Sequence, residues 1–345
     1  MIDGASLSAR RPRQADIADR AGVSISTVSR VLANEPGISD SVRRHVLQVA
    51  EEIGYPARRQ ASGPGHQLVA LVHAVQATAD LSSFYDGVLR GLREAAEDAG
   101  MPLAVRLTYA DEITREELER HLAEEGAGGL FLVGVDAPEA TVRWLREAGI
   151  PVVLVNGADP GLQFDCVSPS NFYGARQATE LLLAAGHRRL AYLTRSVRPT
   201  LRERIRGFEA AIAATPGARG TVVELKPGET GLQEGLNTMK ALIAEGTDVT
   251  AVLCLNDLIA VGAMEAAQRA GRRVPDDISF MGFDGLPCAA MASPRLTTMD
   301  VPREKLGREA LALMQARLAS PHEPARQVLL AVQPQAGGSV APPGS

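Results

Sequence analysis

From Leu68 onward, short apolar runs alternate with longer segments whose apolar residues recur every three or four positions. The runs are Leu68–Val72, Leu103–Leu107, Gly129–Val135, Val152–Val155, Leu190–Leu193, Val222–Leu225, Ala251–Leu255 and Ile278–Phe283. They read as strands buried on both faces. The helical pattern marks Phe84–Ala99, Phe172–Ala185, Arg202–Ala214, Leu232–Ala244, Asp257–Ala270 and Arg303–Leu318. Strands alternating with helices predict parallel sheets covered by helices. Eight strands suit one doubly wound sheet or two smaller ones, and the pattern leaves both open.

The N-terminal stretch obeys a different rule. In Asp16–Asn34, DIADRAGVSISTVSRVLAN, Ile17, Ala18 and Ala21 form an apolar stripe on a first short helix. Gly22 ends it, because glycine takes the left-handed conformation of a helix exit at little cost. Ser24 is an N-cap residue for a second helix, and Val23 and Val28 are spaced as a hydrophobic staple. Val28, Val31 and Leu32 then point inward, while Ile25, Ser26, Ser29 and Arg30 share the outward face. A face that is short, rich in hydroxyls and armed with one arginine suits the DNA major groove, where arginine grips guanine O6 and N7. An ordinary helical hairpin is the bland alternative, and the coincidence of turn, cap, staple and polar face speaks against it. A third helix is predicted from an N-cap at Ser39 to Ile53, with Val42, Val46, Val49 and Ile53 on one stripe.

Composition narrows the setting. Apolar residues make up 45% of the chain, no run is long enough for a membrane helix, and the polar N-terminus carries no signal-peptide core. Cys166, Cys254 and Cys288 lack metal-ligand spacing, and so few, scattered cysteines suggest a reducing cytoplasm. The net charge of −5 hides an asymmetry. Residues 1–63 hold nine arginines against seven acidic residues, a balance of +2, and the remainder carries −7. That basic excess is too small to suggest DNA binding by itself. No GxSxG, phosphate-binding glycine loop, metal cluster or paired His/Cys set is present, so neither an enzyme nor a cofactor is expected.

The run AGVSISTVSRVLAN resembles the headpiece of the LacI/GalR family of bacterial transcriptional regulators, and the match extends along nearly the whole chain. NFYGARQ, VPREKLG and QAGGSV resemble the gluconate-utilisation branch. The resemblance implies a helix-turn-helix headpiece (1–55), a hinge or linker (56–67) and a two-lobed effector-binding and dimerisation core (68–338). The core would be two doubly wound α/β lobes like those of periplasmic sugar-binding proteins. The chain would cross between them near Asn156–Pro169, Asp284–Pro294 and Ser320–Val328. Residues 339–345, SVAPPGS, read as a disordered tail.

Family likeness also implies roles. Ile25, Ser26 and Arg30 would read base edges, and Ser24, Thr27, Ser29, Asn34 and Tyr55 would hold phosphates or helix flanks. The linker departs from the pattern: no leucine lies between Tyr55 and Leu68, so Arg58 and Arg59 replace a leucine wedge as minor-groove candidates. The partners implied are a pseudo-palindromic operator, a second copy of the chain and a sugar or sugar-acid effector, with no membrane. A solute-binding protein of the same core fold is the alternative that the headpiece argues against.

In open α/β sheets, ligands bind beyond the carboxyl ends of the strands. Those ends supply Phe84, Tyr85, Asp136, Asn156, the arginine-rich loop Thr194–Arg204, Asn256, Asp257 and Asp284. The resemblance selects Phe84 or Tyr85, Asn171, Arg204, Asn256 and Asp284 as effector contacts. Helix capping is an alternative for Asn171, Asn256 and Asp257, and surface pairing for Arg204 and Asp284.

Overall fold

The computed structural model describes residues 14–32, 38–52, 67–73, 84–109, 113–157, 159, 161–228 and 230–344. They fall into a small N-terminal unit and a large core.

The N-terminal unit is three helices, α1 (Gln14–Ala21), α2 (Ile25–Leu32) and α3 (Asp40–Glu52). Ile17, Ala18, Ala21, Val28, Val31, Val46, Val49 and Ala50 close into its core, with Val23, Ile38 and Val42 packed at the edge. Gly22 sits at φ 64°, and the Val23 N–H bonds back to Ala18 O at 3.1 Å. The turn is the one predicted, and so are the stripe positions Ile17, Ala18, Ala21, Val28, Val31, Val42, Val46 and Val49, while Ile53 lies outside the described residues; the Ser24 cap is described with the DNA face below.

The core is two six-stranded sheets. Sheet one contains β1 (Gln67–His73), β2 (Leu103–Thr108), β3 (Ala127–Val133), β4 (Val152–Val155), β5 (Asp165–Pro169) and β11 (Gln327–Leu330) in the order β11-β5-β4-β3-β1-β2. Sheet two contains β6 (Arg189–Thr194), β7 (Arg219–Glu224), β8 (Ala251–Cys254), β9 (Ser279–Asp284), β10 (Thr297–Asp300) and β12 (Gln333–Gln335) in the order β12-β10-β9-β8-β6-β7. Every pairing is parallel except β10 with β12.

The first lobe carries α4 (Phe84–Asp98), α5 (Arg115–Glu125), α6 (Glu139–Glu147) and α12 (Arg303–Ala319). The second carries α7 (Asn171–Ala184), α8 (Pro199–Ala213), α9 (Gly231–Ala244), α10 (Asp257–Arg269) and the short α11 (Pro287–Met291). All eight predicted runs are strands, and the alternation resolves into two sheets. In the second lobe α9 and α10 approach so closely that a Cβ at Gly235 or Gly262 would collide with the Ile259 or Leu232 carbonyl opposite.

Four strands escaped the pattern: β5, β10, β11 and β12. They are short, and DCVSP, TTMD and QPQ are mostly polar, while QVLL is apolar over only three residues. Because β10 and β11 run on beside their own sheets, the second and third crossings fall later than expected, while the first falls at the end of its expected stretch. The chain passes to the second lobe after Pro169, returns after Asp300, and passes over once more at residues 331–332.

The expectation of a disordered tail is corrected. Ser339 is fully buried, its Oγ accepting from the Thr297 N–H at 2.8 Å and donating to Phe280 O at 2.7 Å. Ala341 lies against Ser279 Oγ and the His187 ring. The side chain of His187 thus spans Thr250 Oγ1 and Ala341 O at 2.9 Å each. Burial lowers its pKa, keeping the ring neutral for that bridging role.

Candidate DNA-reading face and inter-lobe effector site

On the N-terminal unit, the Ser24 Oγ accepts from the Thr27 N–H at 3.0 Å, so the serine caps α2. The two hydroxyls also bond to each other at 2.8 Å. Val28 and Val31 are buried, while Ser24, Ile25, Ser26 and Arg30 are exposed and Thr27 is half-buried. Ile25 is 54% exposed. Ser29 lies on α2 within the same turn. Asn34, Tyr55, Arg58 and Arg59 lie outside the described residues, as does most of the linker.

In the core, the strand ends of the two sheets face each other, and the candidate residues form two clusters. One is centred on Tyr85, at the start of α4. Its Oη receives the Asn156 Nδ2 at 2.8 Å and the Arg198 Nη1 at 3.2 Å. Phe84 packs edge-on against its ring at 5.0 Å. Gly134, at φ 65°, lies under that ring, and any Cβ there would run into it. Asn156 follows β4 at φ 52°, an uncommon conformation for a residue with a side chain. Its Oδ1 is buried and receives no hydrogen bond.

The second cluster is centred on Arg204, on α8 and only 4% exposed. Its Nε donates to Asn171 Oδ1 at 2.7 Å and its Nη1 to Leu255 O at 2.8 Å. Its Nη2 lies 3.5 Å from Asp284 Oδ1, and the guanidinium stacks 3.7 Å from the Phe283 ring centroid. Asp284 ends β9 at φ 106°, and its Oδ1 is buried without a hydrogen bond. Arg204 and Asp284 therefore meet each other, and the sequence had placed them only at separate strand ends. Asn171 is bound at both ends of its amide, since its Nδ2 donates to Pro169 O at 3.1 Å. Asn256 caps α10, accepting from the Ile259 N–H at 3.0 Å, which leaves its amide N–H groups for other partners.

Sequence reasoning missed the depth of Asp257. Its carboxyl is fully buried, accepting from the Leu286 N–H at 2.6 Å and paired with Thr298 Oγ1 at 2.5 Å. Burial, and then the neighbouring Asp284 charge, push its pKa up to about 8. Burial also raises Asp284, to about 6, against the opposing pull of Arg204. Asp257, raised the more, holds its proton to higher pH than Asp284, which faces Arg204. Phe283, whose ring lies under the Arg204 guanidinium, entered the sequence reading only as the last residue of the Ile278–Phe283 run.

A third group joins the lobes. Arg198, the N-cap residue of α8 in the second lobe, grips Asp136 of the first through Nε to Oδ2 at 2.7 Å and Nη2 to Oδ1 at 3.1 Å. The Nη2 also donates to Asn156 O at 2.9 Å. Burial works against the charge on Arg198, but Tyr85 and Asp136 more than offset it and its pKa is pushed up. Among the described residues there is no cluster of metal-ligating side chains, and no helix is long and apolar enough to cross a membrane.

Comparison with known proteins agrees with this architecture. Residues 15–57 match the lacI family of bacterial regulatory proteins, and residues 179–340 match a periplasmic binding protein-like domain. The chain is 31% identical over 330 residues to the HTH-type transcriptional regulator CelR of Thermobifida fusca, covering 93% of this chain and 96% of that one. It is 30% identical over 313 residues to the regulator GntR of Pseudomonas aeruginosa, covering 90% of each. A solved complex of the transcriptional regulator CelR with cellobiose superposes with a TM-score of 0.69 at 26% identity, covering 95% of this chain and all of that one. A helix-turn-helix unit, two parallel-stranded lobes and relatives of this likeness lead to one conclusion: the chain belongs to the lacI family of bacterial regulatory proteins and is a DNA-binding transcriptional regulator.

Proposed function

We propose that this regulator is a repressor of a carbohydrate-catabolic operon, working as a homodimer on a pseudo-palindromic operator and controlled by a carbohydrate bound between its lobes. On this reading Ile25, Ser26 and Arg30 read bases, and Ser24, Thr27 and Ser29 hold the helix on the backbone. Asn34, Tyr55, Arg58 and Arg59 are assigned to backbone and minor-groove contacts. One recognition helix spans few base pairs, so a second copy supplies the other half-site. Tyr85, Asn171, Arg204, Asn256 and Asp284 form the effector site, and Phe84 backs the ring of Tyr85.

The observation that carries the effector assignment is the pair of buried, unbonded acceptors, Asn156 Oδ1 and Asp284 Oδ1, on opposite lobes. Such atoms cost free energy unless something donates to them, and sugar hydroxyls are donors. The charge on Arg204 is already balanced by Asp284, so the site favours hydroxyls over a ligand carboxylate. The CelR–cellobiose complex is a precedent for a sugar effector in a relative.

Electrophoretic mobility shift on DNA upstream of the gene, with and without a panel of neutral sugars and sugar acids, tests the proposal. The expected result is a specific complex released by a sugar. Retention of the complex with every compound, or its strengthening by one, rules out the inducible-repressor form.

A further inference from the structure

We infer that Arg198 and Asp136 are positioning residues that clasp the two lobes and thereby assemble the Tyr85 cluster. Arg198 belongs to the second lobe by sequence and by its place at the head of α8. Its four side-chain hydrogen bonds all end on the first lobe: two on Asp136, one on Tyr85 and one on the Asn156 carbonyl. Asp136 follows β3, Asn156 follows β4 and Tyr85 opens α4, so one guanidinium ties together three separate connections of the opposite lobe.

The geometry is that of a strong ion pair: bidentate, planar and largely withdrawn from water, with the Arg198 side chain 17% exposed. The Asp136 side chain is 36% exposed, so salt reaches one end of the pair. Tyr85 Oη and the Asn156 backbone are therefore held in place from across the cleft. If the lobes part, both lose that partner together. The clasp couples the arrangement of the first-lobe half of the site to the angle between the lobes, which is the coordinate an effector must bias to act at a distance. Its relevance to effector control rests on the regulator reading above; the clasp itself rests only on these contacts.

The test uses the full-length protein with Cys288→Ser, since Cys166 and Cys254 are buried. Spin labels are placed at Glu116→Cys on α5 and Glu209→Cys on α8, both exposed and on opposite lobes. Distance distributions by pulsed electron resonance are compared for the parent, Asp136→Asn, Arg198→Met and Arg198→Lys. We expect longer and broader separations in Asp136→Asn and Arg198→Met, with Arg198→Lys between them and the parent. Raising salt should move the parent toward the variants. Combining Asp136→Asn with Arg198→Met should add little to Arg198→Met alone, because one contact cannot be removed twice. Identical distributions in all four proteins, or full additivity in the double variant, overturn the clasp. Asp136→Asn is isosteric and half-exposed, so it carries the test if Arg198→Met does not fold. A failed mobility shift would overturn the effector-controlled repressor reading and leave these distances untouched.

Discussion

The DNA-reading face and the inter-lobe site solve recognition in opposite ways. On α2, Ser24, Ile25, Ser26 and Arg30 stand in solvent on a small apolar core, and their arrangement follows from the helix alone. In the cleft, Asn171, Arg204 and Asp284 are buried and held by one another. An exposed reader can be changed with little effect on its own fold. A buried one is part of the fold, so binding and stability are altered together.

The sharpest way to break the comparison is Arg204→Ala. Removing one partner of a buried ion pair strands the other, at a cost of about 3–5 kcal/mol. Urea unfolding should show that loss in the core, and adding Asp284→Ala should recover part of it. A loss under about 1 kcal/mol would place Arg204 with the exposed readers.

Next comes pH. Asp257 and Asp284 both titrate higher in the folded core than in an unfolded chain. Their neutral forms favour folding, so stability is greatest in acid and declines as pH rises through about 6 and then about 8. Between pH 5 and 8.5 the core should become measurably less stable from this source. Asp257→Asn mimics the protonated acid and should flatten that slope in thermal melts; an unchanged slope would mean other groups set it.

Arg30→Ala should then cost roughly 1–3 kcal/mol of operator binding and relax preference at one position. The melting temperature should not move. Competition between operator variants measures the first, and calorimetry the second. The smallest effect belongs to Ser24→Ala, where loss of the α2 cap should cost about 1 kcal/mol of N-terminal-unit stability. A larger fall in DNA affinity than in stability would give Ser24 a direct phosphate contact as well.

The same contrast explains what the sequence disclosed. The α2 face was legible because cap, staple and stripe are relations between residues three or four apart. The eight predicted strands were legible because most are nearly unbroken apolar runs, although two of them, β2 and β7, are mostly half-buried or exposed rather than buried on both faces. The pairings were not: Arg204 meets Asn171 and Leu255, 33 and 51 residues away, and no local pattern encodes that. Asp257 looked like a helix cap, yet its neighbour Asn256 caps the helix and Asp257 turns inward to Thr298. Strand β5 was missed for a related reason: it contains Asp165, and an acid reads as a loop residue until Arg317 Nε and the Arg326 N–H are seen to donate to it, at 2.8 Å each.

The order in which the strands join their sheets bears on how the chain is made. Strands β1 to β5 leave the ribosome early, but β11, the neighbour of β5, spans Gln327–Leu330 near the end of the chain. At ordinary rates of synthesis, that interval is on the order of ten seconds or more. Throughout it, the open edge of β5 presents unpaired backbone groups to any other strand that arrives. Residues 171–300, by contrast, emerge as one uninterrupted block holding all of sheet two except β12. During translation the second lobe has five of its six strands in hand before β11 is made, whereas sheet one, begun earlier, must hold its β5 edge open across that whole interval.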